Sequence, residues 1–159
     1  MKNTKLFSVL ALLLLAIFSV SCSNDNNDRE PDLTPSQTLS FTAWETTGAK
    51  NASGQNVVLT DASVSGFVGY SYFNANGTFK IYSLADALRS KGDWSISADG
   101  KTRTIVAKND AGEVLFTRVV DILVLTRSEF TYRIYPNAND KSVYYDIIHT
   151  PTTHKEPGK

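Results

Sequence analysis

The sequence predicts an all-β domain, a single antiparallel up-and-down β-barrel, with an open β-sandwich as the alternative. Beyond residue 38 the apolar residues recur mainly with period two, the pattern of strands whose side chains alternate between an oily and a wet face. Clusters of Gly, Asn and Asp divide these stretches at short intervals, and helical signal is confined to isolated turns. Many short antiparallel strands expose edges that must be protected, and closing the sheet into a barrel removes them altogether.

The chain has 159 residues, room for one domain beside its leader. Lys2 and Lys5 precede the apolar run Leu6 to Phe18, and the short residues Ser19, Val20 and Ser21 lead to Cys22. This is the layout of a secretory signal over residues 1–21; the run is too short for a transmembrane helix, which needs about 20 apolar residues. The Cys after small residues resembles the lipobox of bacterial lipoproteins, with Ser19 where that pattern prefers Leu. The resemblance implies cleavage before Cys22 and its acylation, so that Cys22 anchors the domain to a membrane. Residues 22–37 are rich in Asn, Asp and Pro and hold Leu33 as their one large apolar residue, which reads as a flexible tether whose loss leaves stability unchanged. Asp25, Asp28 and Glu30 resemble the export tags of Bacteroidetes surface lipoproteins.

The barrel is expected over residues 38–150 and an irregular tail over 151–159. Candidate strands are 41–46, 56–59, 69–73, 78–83, 93–97, 103–108, 114–120, 122–126, 129–135 and 143–149. Asn76-Gly77 and Asp99-Gly100 are hairpin turns, since both dipeptides accept positive φ readily. Asn51 to Gly54 and Asn109 to Gly112 are loops. Asp61 is the N-cap of a possible helical turn, and Leu84 to Leu88 is another. Alternation places Phe79 and Ile81, Trp94 and Ile96, and Phe130, Tyr132 and Ile134 on the core face. Tyr144 and Tyr145 point to opposite sides, and the outward one is expected to form an aromatic surface patch with Tyr82 and Tyr135.

The order of Phe41-Thr42-Ala43-Trp44-Glu45-Thr46, Asn76-Gly77-Thr78-Phe79 and Gly92-Asp93-Trp94 resembles small lipocalin-like domains of bacterial lipoproteins, over about residues 38–149. The lipocalin signature has Gly two residues before its first Trp, where this chain has Thr42. More narrowly, Thr42 to Thr47, Phe130-Thr131-Tyr132-Arg133 and Val143 to Pro151 are similar to an uncharacterised bacterial family, domain of unknown function 4822. That resemblance implies an exported short protein and brings no activity with it.

Charge and chemistry narrow the function. Sixteen basic residues balance sixteen acidic ones, so nothing favours nucleic acid, whose recognition rests on clustered Lys and Arg. Removal of the signal leaves 14 basic against 16 acidic residues, a mildly acidic domain. One Cys excludes a disulfide framework. The two His, His149 at a strand end and His154 in the tail, have no nucleophile or rigid ligand partner nearby in sequence, and Asp146 is an unconvincing third metal ligand. Glu45, Asp93 and Asp146 have no spacing that joins them as a carboxylate pair. The expectation is therefore a protein that is not an enzyme and needs no cofactor or metal. It would be a lipid-anchored binding or interaction module of the bacterial envelope, an outer-membrane lipoprotein whose partner is an envelope component or small ligand. The alternative is a lipocalin-like carrier of a small apolar ligand in the barrel interior. Tyr132 and Arg133 are the candidate ligand-binding residues: Arg133 would lie inside a wet barrel orienting a carboxylate, or outside, stacked on Tyr135 or paired with an acid.

Overall fold

The computed structural model describes residues 32–159. The signal segment, Cys22 and the tether before Asp32 lie outside the described residues. Eight strands follow a short helix α1 (Pro35–Ser40): β1 (Ala43–Asn51), β2 (Tyr70–Phe73), β3 (Thr78–Tyr82), β4 (Leu88–Ile96), β5 (Thr102–Lys108), β6 (Val114–Leu125), β7 (Phe130–Ile134) and β8 (Tyr145–Thr152). Each strand pairs antiparallel with its successor, and β8 closes on β1. This is the up-and-down barrel expected from the alternation, not the open sandwich.

Antiparallel order gives the barrel two ends. The β2–β3, β4–β5 and β6–β7 turns lie at one, the base; the longer β1–β2 and β7–β8 connections lie at the other, the rim. Asn76-Gly77 and Asp99-Gly100 form the first two base turns, with φ of +84° at Gly77 and +72° at Gly100. The core face is the one that period two assigned: Phe79, Trp94, Phe130, Tyr132 and Ile134 are buried, with Ile81 and Ile96 packed against them.

Several elements differ from expectation. Residues 114–126 do not divide in two: Ile122 and Leu125 belong to one long β6, and a bulge between Ile122 and Val124 absorbs the break in alternation. Asn56 makes only an isolated bridge to Lys50, and Leu84 to Leu88 forms a turn into β4 in place of a helix. Asp61 does organise a turn, accepting hydrogen bonds from the backbone and hydroxyl of Ser63 ahead of a 3-10 turn at Ser65–Phe67.

The tether is also shorter than expected. The Thr34 hydroxyl accepts from the Gln37 backbone N–H and the Gln37 side chain accepts from the Thr34 N–H, a capping box followed by Pro35 at the first helical position. The helix delivers Leu39, wholly buried, to the base of the core, and the Trp44 indole N–H donates to the Leu39 carbonyl at 2.8 Å. Residues 34–37 thus belong to the fold.

The tail is not loose either. It lies across the outer faces of β2 and β3, where the His154 ring stacks on Tyr70 at 3.8 Å and its Nδ1 lies 2.6 Å from the Tyr72 hydroxyl. Glu156 is only 7% exposed and holds Lys80 at 2.6 Å and Lys159 at 2.7 Å. Tyr82, expected in an outer aromatic patch, donates to the Pro157 carbonyl and is buried beneath this strap.

Candidate functional site

Rings fill the middle of the barrel. Phe130 meets Trp44 and Phe73 edge to face, with centroids 5.8 and 6.2 Å away, Phe73 meets Trp94 at 5.5 Å, and Phe130 meets Tyr132 at 5.4 Å. His149 was expected at a strand end, exposed or terminal. It is 1% exposed, because β8 runs on to Thr152 and turns this residue inward. Its ring stacks on Tyr132 at 5.2 Å and its Nδ1–H donates to the Phe130 carbonyl. Burial, with the nearby Arg103 cation second, pushes the His149 imidazole down to about 3, so it is neutral.

Arg103 was not anticipated. Alternation along β5 puts it on the inner face with Ile105 and Ala107, and it is 3% exposed. Its guanidinium carbon lies 4.5 Å from the Tyr132 ring centroid and 5.5 Å from those of Phe73 and Phe130. Cation–π attraction offsets part of the loss of water, about 2 kcal/mol for a desolvated contact. It does not replace a counter-ion, and among the described residues Arg103 makes no ion pair and its Nε has no hydrogen-bond partner. Burial draws the guanidinium down from its ordinary value and the phenol of Tyr132 up. The signal was present in Arg103-x-Ile105-x-Ala107, where period two runs through a charge.

A crevice of about 530 Å³ opens at the rim. Val120 and Ile134 supply inward apolar walls, Phe67 and Ser63 come from the β1–β2 connection, and Pro136 and Ala138 from the β7–β8 connection. It forms because β7 ends at Ile134 while β6 begins at Val114, leaving the start of β6 without β7 beside it. Arg118 lines it, on the inner face of β6 opposite Ile105, with its guanidinium over Phe67 and Phe116 at 5.1 and 5.3 Å.

Of the two residues proposed from sequence, Tyr132 faces inward beside Arg103. Arg133 faces outward: Asp146 accepts two hydrogen bonds from it at 2.7 and 3.0 Å, its guanidinium lies 3.6 Å from the Tyr144 ring centroid, and the carboxylate raises it above its ordinary range. The structure therefore takes the outside alternative for Arg133. Tyr135 and Tyr144 form the outer aromatic pair without Tyr82, at 6.2 Å. Asp93 pairs with Lys108, and no group of three His, Cys, Asp or Glu among the described residues is placed to hold a metal.

Closed eight-stranded meander and ring-filled interior define the class: an antiparallel up-and-down β-barrel. Residues 36–158 match a family profile described as a domain of unknown function (DUF4822), and the chain belongs to that family. Among solved structures it is similar to a lipocalin-like protein from Bacteroides uniformis ATCC 8492, with 14% identity over 72% of this chain and 99% of that one, at a TM-score of 0.49. No curated protein matches the chain.

Proposed function

We propose that this domain is a non-enzymatic binding module, held at the bacterial envelope by a lipid on Cys22 and taking a small ligand at its rim. The observation that carries the reading is the rim crevice, which at about 530 Å³ falls within the range of small-molecule sites, about 300–1,000 Å³, and joins apolar walls to a few polar groups. A barrel of eight strands is just wide enough for side chains to fill it or for one small ligand. Rings occupy the middle here, which favours the rim over a deep carrier site. Lys and Arg pairs occupy the acids at Asp93 and Asp146, and the neutral, enclosed His149 is a poor candidate for proton transfer to a substrate, which favours binding over catalysis.

Binding is tested by titrating the full chain with Nile red, a neutral apolar dye, and repeating with Ala138→Trp, which fills the crevice. Saturable binding lost in the variant is expected; equal binding by the variant would refute a rim site. Anchoring is tested separately by Cys22→Ala, which should shift the protein from the membrane fraction to the soluble one, and unchanged partitioning would overturn the lipid anchor.

A further inference from the structure

We infer that the rim site takes an anionic amphiphile, a long-chain carboxylate whose head is met by Arg118 at the crevice and Arg103 behind it. The inference rests on the rim-binding reading and adds the chemical class of the ligand.

Arg103 and Arg118 carry the two guanidinium groups. Both belong to inward faces of neighbouring strands, and Val120, the direct cross-strand partner of Arg103, is itself a wall of the crevice. Buried cations are ordinarily paired, because an isolated charge in a medium of low polarity loses its water without replacement. Arg133 shows what this barrel does with an arginine that is satisfied from within: it receives a forked carboxylate on the outer face. Arg103, which is enclosed, receives none, nor does the exposed Arg118; both lie against rings, and Arg103 also meets the Tyr132 phenol. The inner-face residues around them, Ile105, Ala107, Phe116, Val120, Tyr132, Ile134 and His149, include no acid.

This combination suits one class of ligand. An apolar chain finds Phe67, Val120 and Ile134; a planar carboxylate finds guanidinium groups, whose forks match its two oxygens. The lining sets Arg118 and Lys141 against the single carboxylate of Asp121, a balance that favours an anion over a cation. The Arg103 Nε, lacking a hydrogen-bond partner, supplies a donor that an anion would satisfy.

The experiment displaces Nile red from the full chain with dodecanoate, dodecanol and dodecyltrimethylammonium, which share a tail and differ in the head. Dodecanoate is expected to bind about tenfold or more tighter than dodecanol, and the ammonium more weakly than either. Arg118→Gln, on an exposed residue, should remove most of the preference for dodecanoate over dodecanol. Arg103→Met, which puts an apolar chain among the same rings, should do the same. Equal affinity for dodecanoate and dodecanol overturns the anion assignment and leaves the rim reading standing. A preference that survives Arg118→Gln and Arg103→Met undiminished overturns the assignment to these two residues. Displacement by none of the three, with Nile red binding untouched by Ala138→Trp, overturns both readings.

Discussion

His149 couples the stability of the barrel to pH, and His149→Gln isolates the effect. The imidazole titrates near 6.5 when the chain is unfolded and near 3 when enclosed. Above about pH 7 it is neutral in both states and has no influence on pH dependence. Below 6.5 the unfolded chain takes up a proton that the folded chain refuses, so the folded state loses stability as pH falls, down to about pH 3. Each pH unit in that window is worth up to about 1.4 kcal/mol, so the first two units below 6.5 amount to about 2–3 kcal/mol. Gln keeps a donor for the Phe130 carbonyl and does not titrate. The assay is urea unfolding of both proteins at several pH values, read by the fluorescence of Trp44 and Trp94. Carboxylates such as Asp61 and Asp110, held below their ordinary range by hydrogen bonds from Ser63 and Lys91, contribute equally to both proteins and cancel in the difference. His149→Gln is expected to be the less stable protein at about pH 7.5 and to gain about 2–3 kcal/mol on wild type by about pH 4.5. A stability difference that stays constant over this range would show that His149 is not held neutral, and the reasoning from its burial would fall.

Three further outcomes test the fold. Leu39→Ala should lower stability by about 2–5 kcal/mol in a denaturant melt, as expected of a wholly buried leucine that cannot collapse its cavity; a change near zero would return α1 to the tether. Ending the chain after Thr152 removes His154 and Glu156 from β2 and β3, and a thermal melt should drop by several degrees, since about 1 kcal/mol shifts such a domain by about 4 °C; an unchanged midpoint would show that the strap is superficial. Gly92→Ala should leave little soluble protein, because φ is +152° and the added Cβ would sit 2.0 Å from the Val106 carbonyl oxygen; normal yield with an unaltered melt would contradict the β4–β5 geometry.

What the sequence made legible was local. Asn76-Gly77 and Asp99-Gly100 declare their turns through backbone freedom alone, and Phe79, Trp94, Phe130 and Tyr132 declare their face through alternation, which needs no knowledge of partners. α1 was legible in part: Thr34-x-x-Gln37 with Pro35 is a helix start, but its low apolar content matched that of a tether, and only the base of the core gives Leu39 somewhere to go. The tail depends on contacts some 75–82 residues distant in sequence, between Pro157 and Tyr82 and between His154 and Tyr72, and no short pattern encodes them. The candidate site was half visible. Tyr132 was placed correctly by period two, whereas Arg103 was passed over because a charge on an oily face looks like an exception to the pattern. The placement of Arg133 turned on Asp146 across the β7–β8 pair, a register that the two strands do not reveal separately.

The chain arrives at the barrel by way of α1, with Pro35 lying against Gly100 in the β4–β5 turn. That turn is at the base, whereas the rim connections carry Ser63, Phe67, Pro136 and Ala138. The described chain therefore enters the barrel at its foot, as a stem enters a cup. A load applied at Asp32 would be delivered first to the helix and to Leu39, at the opposite end of the barrel from Phe67 and Ala138.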